Sequence, residues 1–307
     1  MVMSKRWTAL SASVRGASHE KNGQGNQDAV RLKNPSGPAD VLILALADGH
    51  GSTRSFRSER GSAMAAECAL RELTRFVQRL GPDAPLSRVR HQAQQRWPRD
   101  LIEAWKKAVR ADLAARPFSQ LDFAAFPERP PILKPGEDLP ISAYLAYGAT
   151  LVTVAITRRY ILYSQLGDGD ILSVQGDGFV TRPLPRQHEF MANQTISLCS
   201  QDAHEKFQVR VDALRSPSPA LIMLSTDGYA NCFGYDEEFY QVASDFLDYL
   251  RTEGTGFVRE KLEGWLGQSS HDGSGDDITV GLAARANALK SIGKSTARLA
   301  GINPSRA

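Results

Sequence analysis

Four aspartates stand at the ends of short apolar segments of the chain. They are Asp48 after "LILALA", Asp168 after "ILYSQLG", Asp227 after "LIMLST" and Asp276 ahead of "ITVGLAA". Because strands that line up in one core bring their ends to a common edge, we expect these carboxylates to meet. Carboxylates that meet without basic neighbours raise each other's pKa, and a divalent cation removes that repulsion. The set therefore predicts an all-oxygen site for Mg²⁺ or Mn²⁺.

Glycine follows two of these carboxylates. Gly49 and Gly228 would let the backbone turn sharply after Asp48 and Asp227, and the carbonyl of Gly49 is a further candidate ligand. A single Asp-Gly pair is more often an ordinary turn, so the prediction depends on the order and spacing of the whole set. No Cys/His cluster has the spacing of a zinc site.

Composition limits the class of protein. The chain has 307 residues, of which 42% are hydrophobic and 23% charged, enough for one large or two small domains with a sizeable core. We find neither the apolar segment of a secretory signal nor a run of about 18 apolar residues that could span a membrane. The three cysteines fit no disulfide framework, so we expect reduced thiols and a cytoplasmic location. Because no long apolar run is present, we expect no membrane partner.

The net charge of +3 is unevenly distributed along the chain. Residues 285–307 contain five Lys or Arg and no Asp or Glu, which leaves −2 for the rest. We read this segment as a flexible basic tail, and its lack of aromatic residues argues against a nucleic-acid partner. A second basic stretch, Arg88 to Arg116, is typical of a solvated helix face; attraction to an acidic or phosphorylated partner is the alternative.

The order of predicted elements indicates the architecture. A strand around Thr8 to Val14 and a buried strand over Val41 to Ala47 precede two long helices, the second interrupted at Pro98. A proline-rich insertion of about residues 116–141 follows, then several closely spaced strands, two helices and a last strand. This order predicts an α/β protein in which largely antiparallel sheets pack face to face with helices outside.

Six motifs occur in the order found in the type 2C metal-dependent Ser/Thr protein phosphatases, the PPM family. They are "GNQDAV", "LADGHGS", "YGATLVTVAI", "LGDGDIL", "LSTDGYAN" and "DDITV". The resemblance runs from about Ser11 to Ala284, and "GASHEKNGQGNQDA" is most similar to a bacterial subgroup. It implies a four-layer α-β-β-α sandwich of two antiparallel sheets. It also implies a phosphatase domain over residues 1–284, a substrate-selecting flap at about 182–202, and the basic tail at 285–307.

The resemblance also implies a metal site with two Mn²⁺ or Mg²⁺ ions. Asp48 would bridge both ions, and the carbonyl of Gly49 would bind one of them. Asp227 and Asp276 would hold the other ion, and Asp168 matches a carboxylate that helps to bind a third, weaker ion.

Two residues would take part in the chemistry directly. Asp28 would hold a water on the metal, and that water would attack phosphoserine or phosphothreonine without a phospho-enzyme. His50 matches the family position for the general acid that protonates the leaving alcohol. An imidazole that only caps the strand end is the alternative for His50.

Three positions depart from the family pattern. Gln27 replaces the usual Glu, so we expect a weaker second ion. Asn231 replaces an Asp at the third-ion site, which argues against a third ion. Asp277 replaces the usual Asn and adds a negative charge.

The residue that binds the substrate phosphate is not at its usual spacing, where Gly23 stands. Arg15 and His19, across a lengthened loop, are our first candidates, and Arg54 is the next. An exposed arginine at the start of a helix is the alternative for Arg54.

Three hypotheses follow for function. The first is a phosphoprotein phosphatase that acts on a partner Ser/Thr kinase or on the target of that kinase. The second is a catalytically weak or inactive regulatory module with the same fold, which Gln27 favours. The third, a hydrolase of other phosphate esters, nucleic acid included, has only the basic tail in its favour.

Overall fold

The computed structural model describes residues 7–37, 40–119, 122, 139–186, 196–215 and 217–289. In chain order their strands are β1 (Trp7–Val14), β2 (Ala29–Lys33), β3 (Leu42–Ala47), β4 (Leu151–Ile156), β5 (Tyr160–Leu166), β6 (Asp170–Val174), β7 (Val180–Thr181), β8 (Gln208–Ala213), β9 (Leu221–Ser225) and β10 (Ile278–Arg285). They form two five-stranded sheets, ordered β1-β10-β9-β6-β7 and β2-β3-β4-β5-β8. Every neighbouring pair is antiparallel. The short turn between β5 and β6 nevertheless joins the two sheets and does not connect neighbours within one sheet.

Helices cover the outer face of each sheet. The helices of the described residues are α1 (Ala17–Lys21), α2 (Ser58–Leu80), α3 (Leu86–Gln95), α4 (Trp97–Ala115), α5 (Ile141–Leu145), α6 (Ala203–Lys206), α7 (Asp227–Ala230), α8 (Asp236–Thr252) and α9 (Gly254–Asp272). Helices α2, α3 and α4 lie on the β3 sheet, and α8 and α9 lie on the β10 sheet. The described part of the chain is therefore the expected four-layer α-β-β-α sandwich.

Three apolar cores separate these four layers. In β3, alternate residues point to opposite sides: Leu42, Leu44 and Leu46 enter the core between the sheets, whereas Ile43 and Ala45 pack under the helices. Both faces of β3 are thus buried, which explains why its sequence is an uninterrupted apolar run.

The helix break falls close to Pro98. Helix α3 ends at Gln95 and α4 begins at Trp97, so Pro98 lies in the first turn of α4, where its missing N–H breaks no helical hydrogen bond. The buried indole of Trp97 donates to Ser164 Oγ on β5 at 2.9 Å, which fastens the start of α4 to the sheet.

Residues 120–121 and 123–138 of the proline-rich insertion, 187–195 of the flap and 290–307 of the tail lie outside the described residues. Their boundaries at 116–141, 182–202 and 285–307 therefore stay predictions, as does the domain limit at residue 284. None of the described helices combines the length and the apolar character that crossing a membrane requires.

Leu44→Ala should destabilise the protein strongly. Leu44 is completely buried between the two sheets, so truncation removes apolar contacts and leaves a cavity, at a cost of about 2–5 kcal/mol in the free energy of unfolding. Phe179→Ala is the control, because that ring is 65% exposed and its loss should cost no more than about 0.5 kcal/mol. Urea unfolding followed by circular dichroism gives both values, and equal losses would contradict the burial of Leu44.

Candidate metal centre

Three aspartates from distant parts of the chain converge at one end of the sandwich. One carboxylate oxygen from each of Asp48, Asp168 and Asp227 lies within 4.8 Å of the other two. Asp48 follows β3, Asp227 follows β9 by two residues, and Asp168 lies in the turn between β5 and β6. All three side chains are partly accessible to solvent, so an ion from solution can reach them.

Close backbone contacts explain the glycine after Asp48. A Cβ at Gly49 would lie 2.8 Å from the backbone carbonyls of both Gln27 and Ser58, and its φ is not in the left-handed region. The Gly49 N–H donates to the Gln27 carbonyl at 3.1 Å. Glycine is therefore required by the close approach of two segments rather than by a sharp turn.

The same reason applies to the second Asp-Gly pair. A Cβ at Gly228 would lie 2.1 Å from the Asp277 carbonyl, so α7 packs directly against the start of β10. Asp227 is the first residue of α7, and its Oδ2 accepts a hydrogen bond from Asn231 Nδ2 at 3.1 Å. Asn231, which we singled out as a departure from the family pattern, thus orients the Asp227 carboxylate.

Asp28 is buried beside these carboxylates at the start of β2. Its Oδ2 accepts a hydrogen bond from Thr226 Oγ1 at 2.7 Å, and the same hydroxyl accepts the N–H of Thr279 at 3.0 Å. Its Oδ1 is buried with no hydrogen-bond partner within the described residues. Thr226 therefore links three strands, a role that our sequence analysis missed although the hydroxyl stands directly before Asp227.

Burial and mutual repulsion shift the pKa values of these groups upward. Burial raises the pKa of Asp28 to about 8, against the Thr226 hydrogen bond, which lowers it. Burial, followed by repulsion from neighbouring carboxylates, raises the pKa of Asp48 well above its usual range and that of Asp227 to about 6. Burial also raises the pKa of Asp276. A bound divalent cation would stabilise the charged forms, so this donor set fits Mg²⁺ or Mn²⁺.

Asp276 lies next to this group rather than within the 4.8 Å cluster. Its Oδ1 accepts the N–H of Asp277 at 2.8 Å and lies 3.8 Å from His19 Nε2. The other ring nitrogen of His19 is 2.9 Å from Asp277 Oδ1. The His19 ring therefore lies between two carboxylates.

His50 is held at the same end of the sandwich. The backbone N–H of His50 donates to the Gly148 carbonyl at 3.2 Å. A Cβ at Gly148 would lie only 2.7 Å from His50 Cδ2 on the ring. Burial lowers the pKa of the imidazole, against the nearby charge of Asp168, which raises it. A lowered pKa makes the imidazolium a stronger acid.

The candidate phosphate ligands differ in their surroundings. Arg15 is 43% exposed and lies 3.4 Å from Glu20 Oε1, so it pairs within its own loop. Arg54 lies exposed in the short 3₁₀ turn Thr53–Ser55, shortly after His50. His19 is the one of the three that contacts a carboxylate of the predicted metal site. The assignment of a phosphate ligand stays a prediction for all three.

Residues 15–267 match the family described as protein phosphatase 2C. Because this match covers more than half of the 307 residues, the chain belongs to the protein phosphatase 2C family. The family and the enzyme class inferred from the six motifs are confirmed. No curated protein matches the chain.

Several solved structures are similar in fold. The Mycobacterium tuberculosis serine/threonine phosphatase PstP/Ppp is 14% identical, with a TM-score of 0.52 over 91% of this chain and 98% of that chain. The catalytic domain of PstP in complex with two manganese ions is 16% identical, with a TM-score of 0.52 over 91% and 97%. The serine/threonine phosphatase Stp1 from Staphylococcus aureus is 15% identical, with a TM-score of 0.53 over 92% and 97%. The predicted sandwich fold is thereby confirmed.

Asp28→Asn should change how stability depends on pH in metal-free protein. A carboxyl whose pKa is raised on folding contributes stability at low pH, and this contribution is lost as the pH rises towards about 8. We expect urea unfolding in EDTA to show a smaller loss of stability between about pH 5.5 and about pH 8.5 in the variant than in the wild type. The exposed Asp177→Asn should follow the wild-type profile, and an Asp28→Asn profile that also does so would contradict the raised pKa.

Proposed function

We propose that this protein is a metal-dependent phosphoprotein phosphatase that hydrolyses phosphoserine and phosphothreonine. The observation that carries the proposal is the cluster of Asp48, Asp168 and Asp227, which brings three carboxylates together at one end of the sandwich. Membership of the protein phosphatase 2C family supports the same reaction.

The proposed ligands are oxygen donors from several strand ends. We assign Asp48, Asp168 and Asp227 to the centre of the site. The family resemblance adds Asp276 and the carbonyl of Gly49. The solved PstP catalytic domain with two manganese ions supports two ions here as well. When bound, such ions activate water and neutralise charge on the phosphoryl oxygens.

Two residues of the chain would accept and donate the protons that the reaction transfers. We assign to Asp28 Oδ1 the role of accepting the proton of the attacking water. This oxygen is buried without a hydrogen-bond partner within the described residues. As the new P–O bond forms and the bond to the serine or threonine oxygen breaks, His50 would donate a proton to the leaving alkoxide. The described cysteines are free but buried, and burial raises the thiol pKa of Cys68 and Cys199, which disfavours a thiolate nucleophile.

A phosphorylated protein is the proposed substrate, either a partner Ser/Thr kinase or the target of that kinase. The similar fold of the bacterial serine/threonine phosphatases PstP and Stp1 supports this substrate class. Reduced, buried cysteines support a cytoplasmic location as part of the proposal.

Gln27 favours a second candidate function, a regulatory module with weak or no turnover. The amide replaces a carboxylate at the position before Asp28, and its Oε1 is buried with no hydrogen-bond partner within the described residues. An amide oxygen can still accept a hydrogen bond from water, but it contributes no negative charge to hold a cation.

Activity should require both a divalent ion and the clustered carboxylates. We expect purified protein to hydrolyse p-nitrophenyl phosphate and a phosphothreonine peptide with Mn²⁺ or Mg²⁺ and to lose this activity in EDTA. Asp48→Asn and Asp227→Asn should each reduce kcat/KM at least ~100-fold, because even residues that only support a ligand change activity about 10- to 100-fold. Asp177→Asn is the matched control and should retain wild-type activity.

The two candidate functions separate in this assay. Folded wild-type protein that shows no turnover with either ion, yet binds Mn²⁺ in a calorimetric titration, would favour the regulatory module. Turnover that persists in EDTA or in both aspartate variants would contradict a metal-dependent reaction altogether.

Gln27→Glu should strengthen metal binding. The added carboxylate lies next to Asp28 and supplies the negative charge that the amide lacks, so we expect a lower Kd for Mn²⁺ by about 10-fold, or ~1.4 kcal/mol. Isothermal titration calorimetry on metal-free protein measures this change. Gln24→Glu, three residues earlier in the same loop, is the control for a general effect of charge, and an equal gain there would contradict a specific role of position 27.

A further inference from the structure

The loop that carries Gln27 and Asp28 is fastened to the start of β10 by a buried carboxylate. Asp277 is 3% exposed, and each of its oxygens accepts one backbone N–H at 2.6 Å, Oδ1 from Gly16 and Oδ2 from Gln27. The two donors are eleven residues apart and stand at the two ends of the loop. One side chain therefore closes the loop at both ends.

A second buried side chain strengthens the same contact. Ser270 Oγ accepts the N–H of Ala17 at 3.0 Å and donates to the Asp276 carbonyl at 2.8 Å. The N–H of Ser18 donates to the Gly275 carbonyl at 2.8 Å. We call Asp277 and Ser270 the loop anchor, because together they join the loop to the segment that carries Asp276.

The loop approaches this segment as closely as a backbone can. A Cβ at Gly16 would lie 2.4 Å from the carbonyl carbon of Asp276 and 2.6 Å from the Asp277 nitrogen. Glycine at this position is therefore required, and the loop has no room to shift towards β10. Its position therefore follows from this backbone contact together with the hydrogen bonds of the loop anchor.

The chemistry of the loop anchor requires a carboxylate at position 277. A carboxylate offers two acceptor oxygens, whereas an amide offers one acceptor oxygen and one NH₂ donor. With asparagine, the NH₂ group would face the backbone N–H of either Gly16 or Gln27, leaving a buried donor without a partner. The lengthened loop and the aspartate in place of asparagine are thus two parts of one arrangement.

We propose that Asp277 is a positioning residue for the metal centre. Through the Gln27 N–H it fixes the backbone beside Asp28, and as the neighbour of Asp276 it fixes that carboxylate in the same frame. Asp28 and Asp276 come from opposite ends of the sequence, and this contact adds to the β1–β10 pairing and the Thr226 hydrogen bonds in setting their separation. The inference rests on the proposed function, because it concerns the same ions.

Asp277→Asn tests the proposal with a change of nearly equal size. We expect Mn²⁺ binding to metal-free protein, measured by electron paramagnetic resonance of free Mn²⁺, to weaken about 10- to 100-fold. Turnover of p-nitrophenyl phosphate should need correspondingly more Mn²⁺, whereas kcat at saturating Mn²⁺ should recover to within about 10-fold of wild type. This split between affinity and kcat is the signature of positioning.

Val242→Ala controls for lost stability alone. Val242 is buried on α8 in the core under the β10 sheet, and its truncation lowers the melting temperature without removing any hydrogen bond of the loop anchor. This variant should bind Mn²⁺ as the wild type does. An Asp277→Asn protein that stays folded and binds Mn²⁺ within about twofold of wild type would overturn the proposal.

Ser270→Ala provides the same test if Asp277→Asn does not fold. Loss of the two hydrogen bonds of that hydroxyl should weaken Mn²⁺ binding about 2- to 10-fold, and unchanged binding would overturn the proposal. Wild-type protein that binds no Mn²⁺ would overturn the proposed function and this inference together. Wild-type binding with unchanged binding in the variants would overturn the inference alone.

Discussion

Repulsion between buried carboxylates is the constraint on which the functional end of this molecule depends. Burial alone disfavours the charged form of Asp28 and Asp48, and each further carboxylate that approaches adds to the cost. A chain free to relax would move these groups apart. The sandwich prevents this, because Asp48 and Asp227 follow strands that are completely buried in packed sheets. Packing of the two sheets therefore offsets the unfavourable free energy of holding these carboxylates together. Such a local cost is common where function requires a strained arrangement of charge.

The sequence was sufficient to predict the layers and the convergence of carboxylates, because both follow from burial. The apolar run of β3 is buried on both faces, between the second sheet and a helix layer, and the polar residues at its end then lie at the edge of the sandwich. The sequence did not show why particular residues are required at particular positions. Gly49 and Gly228 are required by contacts with segments far away in sequence, and no local pattern distinguishes such a contact from a turn.

Side-chain hydrogen bonds between strand ends were the least predictable feature. Thr226 joins Asp28 to the start of β10, yet a threonine before an aspartate has many ordinary roles in a strand. The Thr226 contacts depend on the register between strands, and register is set by packing of the whole sheet rather than by either residue alone. Asn231 bonds Asp227 across one turn of α7, a short helix that our sequence analysis did not predict.

Gln27 and Asp277, two departures from the family pattern, are in direct contact, and this contact gives them a common interpretation. Relative to that pattern, position 27 loses a negative charge and position 277 gains one, so the charge summed over these two positions is unchanged. The carboxylate of Asp277 accepts two backbone N–H groups, one of which belongs to Gln27 itself, and its Oδ1 also lies 2.9 Å from His19 Nδ1. A carboxylate in that setting is already stabilised by hydrogen bonds, and it has less need of a cation than a carboxylate whose oxygens lack partners. Compared with the family pattern, position 27 has no carboxylate to bind an ion, and the carboxylate at position 277 binds the loop instead. The geometry of Asp28 and Asp276 therefore depends on hydrogen bonds that are present before any ion binds.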